Sequence, residues 1–186
     1  MKLFELDQAP KGVPEVYVDM DGVLADFFGE WAKLDGKDHY KDIDNAEAKL
    51  QLVRDHPTFW IDLPMLPNAS KLLGFIKKAF GHYSICSKPL EGDPNSAPQK
   101  REWLEKHLSS FPPDKVILTA NKAAYATQAD GTPNILIDDY GKNIASWEAA
   151  GGIGIKHKDH KIDRTISALR RHLNRRAASL TPIQGR

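Results

Sequence analysis

The chain has 186 residues, enough for one well-buried core and short for two full domains. Its 41% hydrophobic and 27% charged residues exclude a disordered chain, and a net charge of +1 excludes a molecule-wide polyanion-binding field, so any phosphate recognition is local. The single cysteine, Cys86, leaves no internal disulfide, "MKLFELDQAPKG" lacks the apolar run of a signal peptide, and no window approaches the roughly 18 apolar residues of a membrane span, so a cytoplasmic protein without a membrane partner is expected.

Short β-rich runs alternate with segments of helical periodicity, the pattern of an α/β domain with a mainly parallel sheet. The first strand is expected over 15–19, ending in "VYVDMDGVLAD". Residues 27–64 carry helical signals without a strand and read as a small helical cap inserted into a core of residues 1–26 and 65–178; within it Asp44 and Glu47 have capping-box spacing. An apolar stripe of Leu72, Leu73, Phe75, Ile76, Ala79 and Phe80 predicts a helix between an Asn68 N-cap and a Gly81 stop. Strands at 82–87, 115–119, 134–138 and 152–156 bring the sheet to about five, flanked by helices. "EGDPNSAPQ" reads as a turn-rich loop before a helix containing Trp103, Leu104, His107 and Leu108. Ile162, Ile166, Leu169 and Leu173 mark the inward face of a last helix, with "RRHLNRR" as its solvated face; "KHKDHK" reads as an exposed connector and residues 179–186 as a flexible tail.

In open parallel sheets ligands bind beyond the carboxyl ends of the strands. Four such ends collect polar groups: Asp19 and Asp21, Ser87 and Lys88, Thr119 with Lys122 beyond it, and Asp138 with Asp139. Either acidic pair alone is equally a turn or a helix cap. Gathered together, four carboxylates would repel by several kcal/mol or take up protons unless a hard divalent ion joined them, and Mg²⁺ suits an all-oxygen site with a substrate phosphate. Ser87 and Lys122 would then face the phosphate, an arrangement for phosphoryl transfer. Lys88 is either a further phosphate contact or a solvated loop lysine. Gly22 lets the chain turn tightly after the acids, and Cys86 sits in a buried-strand pattern.

"DMDGVLADF" resembles the first motif of the haloacid dehalogenase (HAD) superfamily of phosphatases, "SICSKP" its second, Lys122 the lysine of its third and "LIDDYGKN" its acidic fourth. Within that superfamily the chain resembles the 5'(3')-deoxyribonucleotidases, through "DMDGVLADF", "FWIDLPMLPNA", "ICSKP" with "KREWLEKHL", and "VILTANK" followed by "LIDD". The family pattern often has Thr in the second motif and Arg after the acidic pair, where this chain has Ser87 and Tyr140.

The resemblance implies a HAD-like Rossmannoid fold and Mg²⁺-dependent hydrolysis of (deoxy)nucleoside monophosphates. Asp19 would be the nucleophile and Asp21 the proton shuttle. Asp19, the Asp21 carbonyl and Asp139 would hold the metal with Asp138 beside them, and Ser87, Lys122 and Lys88 the phosphate. A base could stack on an aromatic at about 1–3 kcal/mol. Phe27 matches the family's base-facing aromatic, with Trp60 as a second candidate, whereas Phe28 and Trp31 fit a buried helical stripe. A sugar phosphate or a nucleic-acid 3' end is the alternative substrate, a catalytically silent nucleotide sensor a different class, and a homodimer is compatible with the reading.

Overall fold

The structure, a computed structural model, describes the backbone of residues 12–179 and the side chains of residues 12–173. Five parallel strands form one sheet: β1 (Val16–Val18), β2 (Ser84–Ser87), β3 (Val116–Leu118), β4 (Ile135–Asp138) and β5 (Ile153–Lys156), in the order β3-β2-β1-β4-β5. Every residue of β1, β2 and β4 is buried, as continuous apolar runs in a sheet covered on both faces should be. β1 lies centrally, with Val18 in register with Ile85 of β2 and Ile137 of β4. The strand order reverses there, so the crevice beyond β1 opens between two diverging connections.

The helices are α1 (Phe27–Leu34), α2 (Ala46–Asp55), α3 (Ala69–Phe80), α4 (Ser96–His107), α5 (Gly141–Ala149) and α6 (Ile162–Ser179). Asp26 caps α1 by accepting the Gly29 amide at 2.9 Å. α3 ends at Gly81 in the left-handed region, φ +80°, where a side chain would be strained. The chain leaves and re-enters the core side by side: Asp26 N–H donates to the Pro64 carbonyl and Leu66 N–H to that of Leu24, both within 2.9 Å. The apolar residues of segment 27–64, among them Phe27, Trp31, Phe59, Trp60 and Leu63, share one cluster with Val18, Leu72, Ile85 and Leu104.

Three local expectations give way. The Asp44/Glu47 capping box does not form, because α2 begins after Asn45, which is left-handed at φ +50° and makes no side-chain cap. α4 starts at Ser96, inside the expected loop; its Pro98 falls in the first turn, where a missing N–H costs nothing. His157, expected on an exposed connector, is buried with Nδ1 3.0 Å from Thr165 Oγ1, because it follows β5 under α6. Leu169 of α6 is buried while Arg170 and Arg171 are exposed; the remaining arginines of that run and the tail 180–186 lie outside the described side chains.

Candidate active site

β1 delivers Asp19 to the crevice, and the Asp19 amide donates to the Ile137 carbonyl at 2.9 Å, fixing it level with the end of β4. Asp19 Oδ1 accepts from the Met20 amide at 2.8 Å. The chain then wraps around the Met20 carbonyl, which accepts from Leu24 and Ala25, and passes through Gly22 at φ +73°. A Cβ on Gly22 would stand 2.6 Å from Asp139 Oδ2 and 2.9 Å from the Phe28 ring. Glycine is therefore required twice here, by backbone and by space.

Asp138 is wholly buried at the end of β4. Its Oδ1 accepts from the Tyr140 amide at 2.8 Å and its Oδ2 from Asn143 Nδ2 at 2.9 Å and Lys122 Nζ at 2.6 Å. Lys122 follows β3 on a short 3-10 turn, and its ammonium also lies 2.9 Å from Asp19 Oδ1. Burial works against that charge, but Asp19 and Asp138 outweigh it and raise the pKa of Lys122. Tyr140, where the family pattern often has Arg, is 51% exposed at the start of α5.

Asp21 meets a different cation. Lys100 of α4, fully buried, donates to Asp21 Oδ2, to Ser87 Oγ at 3.2 Å and to the Lys88 carbonyl at 3.0 Å. Asp21 Oδ1 is buried with no protein partner. Burial raises the pKa of Asp21, with Lys100 pulling the other way.

Asp19, Asp138 and Asp139 each offer one carboxylate oxygen within 4.8 Å of the others. Burial, followed by the charges of Asp19, Asp138 and Asp21, pushes Asp139 up to about 8. Burial and then the charge of Asp19 also push Asp138 upward. With all four carboxylates ionised, the two buried ammonium groups, Lys100 and Lys122, would leave two negative charges unbalanced. An all-oxygen donor set with that excess fits a hard divalent cation such as Mg²⁺.

The structure thus gathers Asp19, Asp21, Ser87, Lys122, Asp138 and Asp139. It sends the Lys88 side chain into solvent, and only the carbonyl of that residue turns inward. Phe27 and Trp60 are 8% and 2% exposed and stack on each other, centroids 5.4 Å apart, so neither offers an open face. Phe28, expected in the core, is only partly buried and lies beside Gly22. Trp31 is buried as expected.

Sequence reasoning missed Lys100 and Asn143. Lys100 did leave a signal: it stands three and four residues before Trp103 and Leu104, on the buried face of α4 where a solvated lysine has no place.

The family model described as "5' nucleotidase, deoxy (Pyrimidine), cytosolic type C protein" matches residues 13–175. A protein of Bordetella pertussis described as "Putative 5'(3')-deoxyribonucleotidase" is 31% identical over 143 residues, covering 67% of this chain and 73% of its own. One of the same description from Bordetella bronchiseptica is 29% identical over 143 residues, with the same coverage. Among solved structures, a "putative beta-phosphoglucomutase from Thermotoga maritima" superposes with a TM-score of 0.50 at 15% identity, covering 85% of this chain and 99% of that one, a likeness of fold. The match spans all of the acidic site and both of its lysines: the chain belongs to the 5' nucleotidase, deoxy (pyrimidine), cytosolic type C family of phosphate-monoester hydrolases, built on the HAD fold.

Proposed function

We propose that this enzyme hydrolyses (deoxy)nucleoside monophosphates to nucleoside and phosphate, with Mg²⁺ as cofactor and an aspartyl-phosphate on Asp19 as intermediate. The observation that carries the reading is the unequal treatment of two neighbouring carboxylates. Each has a lysine beside it, Lys122 at 2.9 Å from Asp19 and Lys100 on Asp21, but Asp21 also keeps one buried oxygen without a partner and has its pKa raised by burial. That division suits Asp19 to attack and leaves Asp21 a free oxygen to carry a proton.

In this mechanism an Asp19 carboxylate oxygen attacks phosphorus in line with the ester oxygen. The P–O bond to the nucleoside breaks, and Asp21 protonates the departing alkoxide. Asp21, now ionised, takes a proton from water, which attacks the acyl phosphate and restores Asp19. The Lys100 ammonium holds Asp21 and the Ser87 hydroxyl in place, and Ser87 faces the transferred phosphoryl group. Lys122 limits the charge that Asp19 and Asp138 place on the site. Asp19, Asp139 and the Asp21 carbonyl, with Asp138 beside them, would hold Mg²⁺, which would neutralise phosphate charge. The Lys88 ammonium is left to a solvent-side contact with the phosphate.

For the base, the partly buried Phe28 ring next to Gly22 supplies the aromatic surface, with Phe27 packed edge-on to it at 5.2 Å and Trp60 behind. The buried free thiol of Cys86 suits the cytoplasm, and no helix among the described residues is long and apolar enough to cross a membrane.

A panel of nucleoside 5'- and 3'-monophosphates, sugar phosphates and 3'-phosphorylated oligonucleotides, assayed for phosphate release with Mg²⁺ and with EDTA, tests the reading. Mononucleotides should be preferred and EDTA should abolish turnover. Asp19→Asn should lower kcat by at least about 10³-fold without unfolding the protein. Retained activity would remove Asp19 from the role of nucleophile, and preference for sugar phosphates or polymer ends would overturn the substrate assignment.

A further inference from the structure

Trp60 closes the inserted segment, yet its indole ring lies over the Lys100 ammonium, 4.6 Å from Nζ to the ring centroid. Lysine has three N–H donors, and here they meet Asp21, Ser87 and the Lys88 carbonyl, so the ring covers a side of the ammonium that has no proton left to give. An aromatic face attracts a cation through its negative quadrupole, and more strongly where water is excluded.

What orients the ring is Asp93. Its Oδ2 accepts from Trp60 Nε1 at 2.6 Å and its Oδ1 from the Asn95 amide at 2.9 Å, and the residue is only 8% exposed. The chain has four tryptophans, and the other three indoles donate to backbone carbonyls, of Lys49, Leu63 and Asn134. Burying a carboxylate where a carbonyl would satisfy the N–H carries a desolvation cost, so the charge itself needs a reason. A role as a mere helix cap does not supply it, because the oxygen in question bonds the indole and not the first turn of α4. A charged acceptor shortens and strengthens the N–H bond and draws electron density toward the ring, which favours the cation on its face.

We propose that Asp93 and Trp60 are a positioning pair that holds the Lys100 ammonium against Asp21 and Ser87, making the inserted segment part of the phosphoryl-handling machinery. The inference rests on the catalytic reading above for its kinetic consequences, but not for its geometry. Neither residue touches the substrate; both act through Lys100. Two further ties, Arg54 Nε to the Glu91 carbonyl at 3.0 Å and Gln99 Nε2 to the Pro57 carbonyl at 2.7 Å, join the same two stretches of chain.

The test combines kinetics with structure. Asp93→Asn, which keeps an acceptor but loses the charge, should lower kcat about threefold. Asp93→Ala and Trp60→Phe should each lower it about 10- to 30-fold, with KM changed less than threefold, and the double variant should be no worse than either alone because the two act as a unit. In a Lys100→Met background, Asp93→Ala should cost nothing further. An equal loss with and without Lys100 would mark Asp93 as merely structural and overturn the proposal. Crystal structures of Asp93→Asn and Asp93→Ala give a readout independent of turnover: Lys100 Nζ should leave hydrogen-bonding distance of Asp21 or Ser87 in the alanine variant. An unmoved Nζ would refute the positioning role even in an active enzyme, whereas a displaced Nζ in a protein without phosphatase activity would retain it and sink only the catalytic reading.

Discussion

Asp139 shows how a single residue records the chemistry of the site. Its carboxyl, ordinarily at 3.8, is pushed up to about 8, first by burial and then by three neighbouring carboxylates. A group raised in this way keeps its proton in the folded protein after the unfolded chain has lost it. Its contribution to stability is therefore intact below about pH 4 and is lost as the pH climbs toward 8. Without divalent ions, Asp139→Asn should stabilise the protein at pH 8 by roughly 1–3 kcal/mol, allowing for solvent at this half-buried side chain, and should have little effect near pH 4. Thermal melts in EDTA across that range would check it; an equal effect at both ends would mean that Asp139 is not strained by its neighbours. Mg²⁺ should reverse the preference, stabilising the wild type and not the variant. The four acids were legible in the sequence because strand ends and like charges make a pattern. Lys100 was not, because its role comes from the face of α4 that turns to the sheet, and that orientation is a tertiary fact.

Among the elements, α1 illustrates how tightly the start of the segment 27–64 is specified. A Cβ on Gly29 would collide with the Asp26 carboxylate that caps the helix. Gly29→Ala should force that carboxylate out and cost about 1 kcal/mol, a drop in melting temperature of about 2–4 °C. Asp26→Ala should cost a similar amount, and the pair together little more than either; additive losses would show that the clash is relieved some other way. Element boundaries were read well where one residue decides them, as at Gly81, and poorly where two options compete. Asp44 and Glu47 had the spacing of a capping box, but the left-handed Asn45 starts α2 instead. "EGDPNSAPQ" has turn composition throughout, yet only its first half is loop, since Ser and Pro suit the first turn of a helix as well as a turn.

At the scale of the whole molecule, the alternation of strands and helices made the α/β class legible, and the five strands fall within the expected runs, trimmed at their ends. Their spatial order was not legible: nothing local in "VYV" says that it lies between "SICS" and "ILID", because that order comes from which crossovers bury the most apolar surface. The segment 27–64 stood out as an interruption, and its aromatics were divided between core and substrate by helical periodicity for Phe28 and Trp31 and by family resemblance for Phe27. In the structure Phe27 and Trp60 pack into the common core, while Phe28 reaches the edge of the acidic site. The sheet, the segment 27–64 and α4 bring these groups together, and the mechanism proposed above has Asp19 attack phosphorus while Asp21 moves the proton. The most direct measurement of that claim is to trap the intermediate: quench a single turnover of a deoxynucleoside monophosphate with Mg²⁺, reduce the acyl phosphate with borohydride and map the peptides. Homoserine at position 19, absent without Mg²⁺ or substrate, is the expected result. Full turnover with an unmodified Asp19, or reduction at a different carboxylate, would contradict it.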